Sequence, residues 1–214
     1  FMEIKKLADN VLIFGVNRFI EFFGLCIILI GFFLLISLSS FSPDDPNFIF
    51  PQNTQIKNLL GYRGSFSADL FFQSFGLISL LIPFSLIFTG TNIILSKKIF
   101  LIVESNFFTI LYLLCGSLFF SIFYTNNFEL YINGNGGFIG KYLETTFLNS
   151  LINFNIHVAY YFSILLIISF FLITIQFEIV SFYKIVKKLF NFLFTKKQKN
   201  YTNANEIISE FIPQ

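Results

Sequence analysis

Four long runs without a charged residue constrain the fold of this chain more than any other feature of its sequence. A helix that crosses the hydrocarbon core of a bilayer needs about 20 mostly apolar residues. The four runs reach that length and lie at Phe22–Pro43, Leu70–Ser96, Ser105–Phe128 and Thr145–Phe177. Charged residues make up 12% of the chain, whereas a soluble domain carries about 25%. The sequence therefore predicts an all-α integral membrane protein built as a four-transmembrane-helix bundle.

Trimming the polar ends of these runs divides the chain into ten predicted segments. They are an interfacial N-terminus at 2–19, a first span at 20–40, an outer loop at 41–70, a second span at 71–94, a cytoplasmic loop at 95–105, a third span at 106–124, an outer loop that can hold a short helix at 125–156, a fourth span at 157–178, a basic juxtamembrane helix at 179–197 and the start of a linker at 198–214.

The distribution of lysine and arginine predicts the orientation of the spans, because cytoplasmic loops carry an excess of both. Eleven of these residues fall on one side: Lys5, Lys6, Arg18, Lys97, Lys98, Lys184, Lys187, Lys188, Lys196, Lys197 and Lys199. The remaining three are Lys57, Arg63 and Lys141. The prediction is an N-in/C-in topology with two extracytoplasmic loops.

The segment after the fourth span has helical periodicity. Lys184, Lys187 and Lys188 share one face, and Leu189 and Leu193 share another. This pattern is typical of a helix that rests on an anionic inner leaflet, so the lipid bilayer is a predicted partner. Anchoring on the membrane accounts for these lysines, and a role in binding nucleic acid is the weaker interpretation.

Chemistry-bearing residues are scarce inside the predicted spans. Ion- or proton-coupled transporters need ionisable groups near the middle of the bilayer, whereas Glu21, Glu104, Glu178 and the single histidine, His157, fall at predicted rims. We predict no catalytic residue, no bound cofactor and no metal site in this chain. A metal-dependent enzyme that uses Asp44, Asp45 and His157 is a third and weaker hypothesis.

Several residues within the spans suit helix packing instead. Pro83 is expected to kink the second span. Polar residues are expected to hydrogen bond to neighbouring helices, and small residues to permit close helix approach. The polar set is Gln73, Thr89, Thr91 and Asn92, and the small set is Gly24, Gly31, Gly76, Gly90 and Gly116.

The stretch NGNGGFIGKYL, residues 133–143, has the glycine density and the Gly-Lys pair of a phosphate-binding loop. A Walker A motif reads G-x-x-x-x-G-K-[ST], with a hydroxyl that holds magnesium. Alignment on Gly140 and Lys141 places Asn135 where the first glycine belongs and Tyr142 where the hydroxyl belongs. The predicted topology also places the stretch outside, away from cytoplasmic ATP. We interpret it as a turn at the outer surface.

Three stretches resemble the N-terminal membrane domain of the FtsK/SpoIIIE family of bacterial DNA translocases. They are SSFSPDDPNF after the first span, NLLGYRGSFSADLFFQSFG before the second, and GGFIGKYL before the fourth. The residues that match are Ser42, Pro43, Asp45, Pro46, Asn58, Gly61, Gly64, Ala68, Asp69, Leu70, Phe75, Gly76, Gly136, Gly137 and Gly140. The resemblance covers about residues 15–180, and Ser65 stands where the family usually has alanine.

The resemblance implies a function for the chain. In that family a four-span domain anchors the protein in the bacterial inner membrane at the division septum, where it meets divisome membrane proteins. A long linker joins it to a RecA-like motor that forms hexamers, uses ATP and Mg²⁺, and pumps chromosomal DNA. The chain resembles the anchor alone, as a truncation or a split product, so we expect a non-enzymatic homo-oligomer that reaches DNA only through a motor. The alternative is a small four-helix channel or transporter subunit.

Overall fold

The computed structural model describes residues 2–46, 55–125, 133–177 and residue 187, and for 2–9, 147, 151 and 153 it describes the backbone alone. These residues form seven α-helices and one 3₁₀ segment. The helices are α1 (Met2–Ser39), α2 (Gly61–Phe75), α3 (Ile82–Ser96), α4 (Leu101–Phe123), α5 (Gly137–Glu144), α6 (Phe147–Phe154) and α7 (Ile156–Thr174), and the 3₁₀ segment is Gly76–Leu81.

Among the described residues, four helical stretches are long and apolar enough to cross a membrane. They are Asn10–Ser39, Gly61–Ser96, Leu101–Phe123 and Ile156–Thr174. The predicted fold class, an all-α bundle with four membrane-spanning helices, is confirmed. The helices are longer than the predicted first and third spans, because α1 begins at Met2 and α4 begins at Leu101.

The helices α1 and α3 pack closely through glycine. A Cβ atom on Gly24 would lie 2.9 Å from the carbonyl oxygen of Gly90, and one on Gly31 would lie 3.1 Å from that of Pro83. On α4, a Cβ on Gly116 would lie 2.3 Å from the Ile78 side chain. The predicted close approach at these small residues is confirmed.

The second apolar stretch changes direction at Gly76. This residue has a φ of 74° and ends α2, and the 3₁₀ segment then leads into α3. Pro83 lies in the first turn of α3, where its missing N–H would be unpaired in any helix. The kink expected at Pro83 stays a prediction, and the change from the 3₁₀ segment to α-helix lies next to this residue, while α2 itself ends earlier, at Gly76. At about 2.0 and 1.5 Å per residue, Gly76–Ser96 alone is long enough for a hydrocarbon core of about 30 Å.

The helix α2 crosses one end of the bundle. The Ser37 hydroxyl donates a 2.6 Å hydrogen bond to the carbonyl of Gly64, at the start of α2. The Ser117 hydroxyl donates a 2.9 Å bond to the carbonyl of Phe75, at its end. Ser37 lies near the end of α1 and Ser117 lies on α4, so α2 bridges these two helices. We call residues 40–46, 55–75 and 133–144 the cap.

The helix α7 packs mainly against α4 through aromatic rings. The centroids of Phe119 and Tyr160 lie 5.3 Å apart, and those of Tyr112 and Phe171 lie 5.8 Å apart. The hydroxyls of Tyr124 and Tyr160 are 2.8 Å apart and form a hydrogen bond. The buried core of the bundle combines α1, the second stretch and α4, with Leu34, Ile78, Ile82, Tyr112 and Leu113 as its members.

Two of the four polar side chains in the spans, Thr89 and Asn92, hydrogen bond to a neighbouring helix or its end as expected. Gln73 does not, because it donates to Asp69 of its own helix and accepts from Asn133, which lies in a turn. Thr89 bonds to Ser105 on α4, and the Asn92 amide donates to the carbonyl of Ile175, past the end of α7, at 3.1 Å. Thr91 instead donates to Ile87 of its own helix at 2.7 Å and is exposed, so the prediction of a contact with a neighbouring helix is wrong there.

Charged residues meet at the opposite end of the bundle from the cap. Glu21 of α1 forms ion pairs with Arg18 and with Lys97, the residue that ends α3. Further along the chain, Lys184 and Lys188 of the predicted juxtamembrane helix lie outside the described residues, as does Glu178. Lys187 is helical and exposed.

Candidate functional site

Asp45 fixes the first corner of the cap. Its two carboxylate oxygens accept hydrogen bonds from the backbone N–H groups of Lys57 and Asn58, both at 2.8 Å. The side chain is 4% exposed, and charge-assisted bonds to backbone amides are stronger than neutral ones. A turn through Ser42, whose carbonyl accepts from the Asp45 N–H at 3.2 Å, presents the carboxylate. Asp45 therefore joins the two ends of the loop between α1 and α2.

Asn58 caps the end of α1. Its amide nitrogen donates to the carbonyls of Ser37 at 2.9 Å and Ser40 at 3.2 Å. The last carbonyls of a helix have no partner within the helix, so this side chain supplies one. Its Oδ1 accepts from the N–H of Leu60 at 3.1 Å. Buried on both sides, Asn58 connects the end of α1 to the start of α2.

The first half of α2 packs tightly on this corner. A Cβ on Gly64 would lie 2.1 Å from Oδ1 of Asn58. Ser65 donates to the carbonyl of Pro46 at 2.7 Å, so this hydroxyl holds the loop against the start of α2. Ala68 is fully buried beside Leu38 and Phe72.

Gly76 forms the second corner, where the glycine run meets the second stretch. A Cβ on Gly76 would lie 1.9 Å from the carbonyl oxygen of Asn135, and that oxygen accepts a 2.9 Å bond from the N–H of Leu77. Gly137 has a φ of 66°, and a Cβ there would lie 2.6 Å from the Gly76 nitrogen. The two backbones are in direct contact, and only glycine leaves room for it.

The rest of the glycine run packs on α4. A Cβ on Gly136 or Gly140 would lie 2.4 or 2.3 Å from the carbonyl oxygen of Ser117. One turn further on α4, the Ser121 hydroxyl donates to the Glu144 carboxylate at 2.5 Å. The helix α5 is therefore held along α4 by close backbone contact at its start and by a side-chain bond at its end.

Two amides tie the glycine run to its surroundings. Asn133 donates to the Gln73 side chain at 3.3 Å, and Gln73 in turn donates to Asp69 at 3.4 Å. Asn135 is 2% exposed and donates to the carbonyl of Tyr124. Its Oδ1 is the buried side-chain atom without a hydrogen-bond partner in the described part of the chain.

The expected single short helix after the glycine run is two helices. The helix α5 begins inside the run at Gly137, and α6 begins after Thr146, whose hydroxyl accepts from the N–H of Leu148 at 3.4 Å. The N–H groups of Gly137 and Gly140 donate to the carbonyls of Gly134 and Gly136 at 3.1 Å. Amides that hold a phosphate must be free to point at it, and these two are used within the run.

The acidic residues of the enzyme hypothesis have structural partners. Asp44 forms an ion pair with Lys57 at 2.7 Å, and this carboxylate raises the pKa of the exposed Lys57 ammonium above its ordinary value. Asp45 is occupied by backbone amides, and His157 is exposed in the first turn of α7. Within the ranges that the structure describes, no three His, Cys, Asp or Glu side chains come together in a way that could hold a metal.

The matched loop residues, spread over three segments of sequence, form the two corners of one cap. Asp45, Asn58 and Gly64 meet at the first corner, and Gly76, Gly136, Gly137 and Gly140 at the second; Gly61 has a φ of 63° and starts α2, while Pro43 is exposed. Sequence reasoning missed Ser37, Ser117, Ser121 and Asn135, their partners. Serines in an apolar run were the available signal.

The helices and the cap define a four-span membrane domain in which the loops that follow α1 and precede α7 are folded onto the end of the bundle. The family model described as the 4TM region of DNA translocase FtsK/SpoIIIE matches residues 16–189, and the chain belongs to this family. The chain is also 27% identical over 196 residues to a protein of Rickettsia bellii (strain RML369-C) described as DNA translocase FtsK. That alignment covers 90% of this chain and 25% of the relative. No solved structure matches the chain.

Proposed function

We propose that this chain is the membrane anchor of a DNA translocase that couples cell division to chromosome segregation. The match of the four-span family model to residues 16–189 carries the proposal. The matched part is the membrane region, so DNA pumping and ATP hydrolysis with Mg²⁺ would belong to a motor of the kind that the name of the Rickettsia relative indicates. The chain itself would act without catalysis, as a multi-pass protein of the inner membrane.

The cap supports an anchoring role. Its hydrogen bonds and glycine contacts use the family-motif residues to hold the loops, and the polar groups of Thr89 and Ser105 bond to each other between α3 and α4. A channel or transporter subunit would need polar groups that face a pathway. A rigid bundle end suits a part that holds position while force acts elsewhere.

An N-in/C-in topology is part of the proposal, because it delivers the C-terminal segment to the side where DNA lies. Lys98, which follows α3, and Asp44, which belongs to the cap, lie on opposite predicted sides of the membrane. Single cysteines can be placed there, as Lys98→Cys and Asp44→Cys, in a chain whose Cys26 and Cys115 are replaced by serine. A membrane-impermeant thiol reagent added to intact cells should label the cysteine at 44 and spare the one at 98. Labelling of the cysteine at 98 alone would show that the orientation is the opposite of the one proposed.

Septal placement, self-association as a hexamer, and contact with divisome membrane proteins complete the proposal. A fluorescent fusion of the chain, expressed in dividing bacteria, should concentrate at midcell. A variant with the cap disrupted, Gly76→Val, should spread around the envelope, while Gly15→Ala, which meets no atom within 4 Å, should keep the midcell band. An even envelope signal from the unmodified chain would contradict septal anchoring.

A further inference from the structure

A groove of about 500 Å³ lies between α4 and α7 and extends under α5 and α6. Leu118 of α4, Phe162 and Leu166 of α7, and Ile152 of α6 contribute to its lining. Its volume falls within the range of about 300–1,000 Å³ that is typical of small-molecule sites. Phe162 is both a lining residue and 57% exposed, so the groove opens onto the surface of the bundle.

The lining offers hydrocarbon and almost no free polar group. Asn155 uses its Oδ1 to accept from the N–H of Val158 at 3.2 Å, and Ser163 donates to the carbonyl of Ala159 at 2.7 Å. The lining also includes Cys115, whose side chain packs as a small hydrophobic group. A ligand of this groove must therefore be apolar, because a polar one would lose its hydration without gaining partners.

The position of the groove identifies its occupant. Leu114 and Leu118 lie on the same stretch of α4 as Ser117, which contacts the cap. The groove thus lies just inside the cap end of the membrane-spanning helices and is continuous with their lipid-facing surface, to which Leu165 of α7 contributes. The molecules that meet this surface are the phospholipids of that leaflet.

We propose that the groove binds an acyl tail of one phospholipid from the leaflet at the cap end of the bundle. The tail lies along α4 and α7, and the headgroup stays at the level of α5 and α6. This lipid fills the space that packing between α4 and α7 leaves open, and burial of each CH₂ contributes about 0.8 kcal/mol. The proposal is independent of what the anchor carries.

Groove-filling substitutions test this inference on the full chain, purified in a mild detergent from membranes of defined phospholipid composition. Ala159→Phe and Ser163→Phe place a ring in the groove, while Leu165→Phe and Ile168→Phe place the same ring on the lipid-facing side of α7. Native mass spectrometry should find one retained phospholipid on the unmodified chain and on both controls, and its loss from both groove variants. Circular dichroism checks that all variants keep their helix content.

A second measurement does not depend on large substitutions. The chain contains no tryptophan, so Phe162→Trp reports on the groove and Ile168→Trp on the bilayer. In vesicles that contain brominated phospholipid, the reporter at 162 should be quenched at a lower fraction of brominated lipid than the reporter at 168. Equal quenching curves, or equal phospholipid retention by groove variants and controls, would overturn the proposal. A change of oligomer mass with unchanged lipid would assign the groove to a second copy instead.

Discussion

Gly76 and Asn135 touch through their backbones, so closely that a Cβ on Gly76 would lie 1.9 Å from the Asn135 carbonyl oxygen. The contact joins the second helical stretch to the loop between α4 and α5. It also explains why two glycine-containing motifs, far apart in sequence, belong to the same pattern: each supplies one side of a single corner.

The substitution Gly76→Ala should be strongly destabilising. Its φ and ψ of 74° and −151° are a combination that essentially only glycine adopts, at a cost of about 1–3 kcal/mol for other residues. Displacement of the Asn135 backbone adds about 1–3 kcal/mol of overpacking. Gly61 also has a positive φ, but a Cβ there meets no atom within 4 Å. The substitution Gly61→Ala should therefore be destabilising through backbone strain alone. Unfolding in detergent, followed by circular dichroism, measures both; equal losses would show that the contact is not as tight as described.

A second prediction separates two neighbouring acids. Asp45→Asn removes a buried carboxylate that accepts two backbone N–H groups, and we expect a loss of about 1.5–3 kcal/mol. Asp44→Asn removes one exposed ion pair with Lys57, which is worth about 0–1 kcal/mol. Hydrogen exchange at the amides of Lys57 and Asn58 should accelerate in the first variant and stay slow in the second. Faster exchange in the Asp44 variant would contradict the assignment of this role to Asp45.

Substitution by alanine should lower the stability of the protein at one glycine of α1 and not at another. A Cβ on Gly24 would lie 2.9 Å from the Gly90 carbonyl oxygen, whereas one on Gly15 meets nothing within 4 Å. Gly24→Ala should separate α1 from α3 and cost about 1–3 kcal/mol. Gly15→Ala should be neutral or stabilising by up to about 1 kcal/mol, because alanine favours helix. The midpoint of thermal unfolding in detergent compares them, and a lower midpoint for the Gly15 variant alone would contradict the packing.

Two threonines of α3 provide a test of the polar contacts within the bilayer. Thr89 bonds across to Ser105, while Thr91 bonds to its own helix and is exposed. Thr89→Val should cost about 0.6 kcal/mol, the average for hydrogen bonds between membrane helices, and at most about 1.7 kcal/mol. Thr91→Val should cost almost nothing. A double-mutant cycle with Ser105→Ala isolates the pair, and zero coupling would mean that the two hydroxyls do not interact in the membrane.

Hydrophobicity predicted the four spans because an uncharged apolar run of about 20 residues or more is typical of a transmembrane helix. It could not locate the break in the second stretch: glycine is common in membrane helices, and no charge separates α2 from α3. Pro83 was the visible signal, but it lies in the first turn of α3 and not at the residue where α2 ends. The direction of α2 depends on Ser37 and Ser117, which lie in other spans.

The family motifs predicted which loop residues matter but not what they do. Asp45 and Asn58 look like ordinary turn residues in the sequence, and their roles depend on which backbone groups lie opposite after folding. Ser65 departs from the family pattern and still forms a bond to Pro46. Partners from distant segments, such as Asn135 for Gly76, leave no local pattern to read.

The Gly76–Asn135 contact also orders the assembly of the protein in time. The corner at Asp45 and Asn58 involves no residue beyond the first half of α2, so all of its parts are present before the later segments are synthesised. The corner at Gly76 cannot form until α4 and residues 133–137 have also been synthesised. The bend of the second helical stretch therefore gains its contact with Asn135 only after the following helix has been made, and the cap is complete only with this closure.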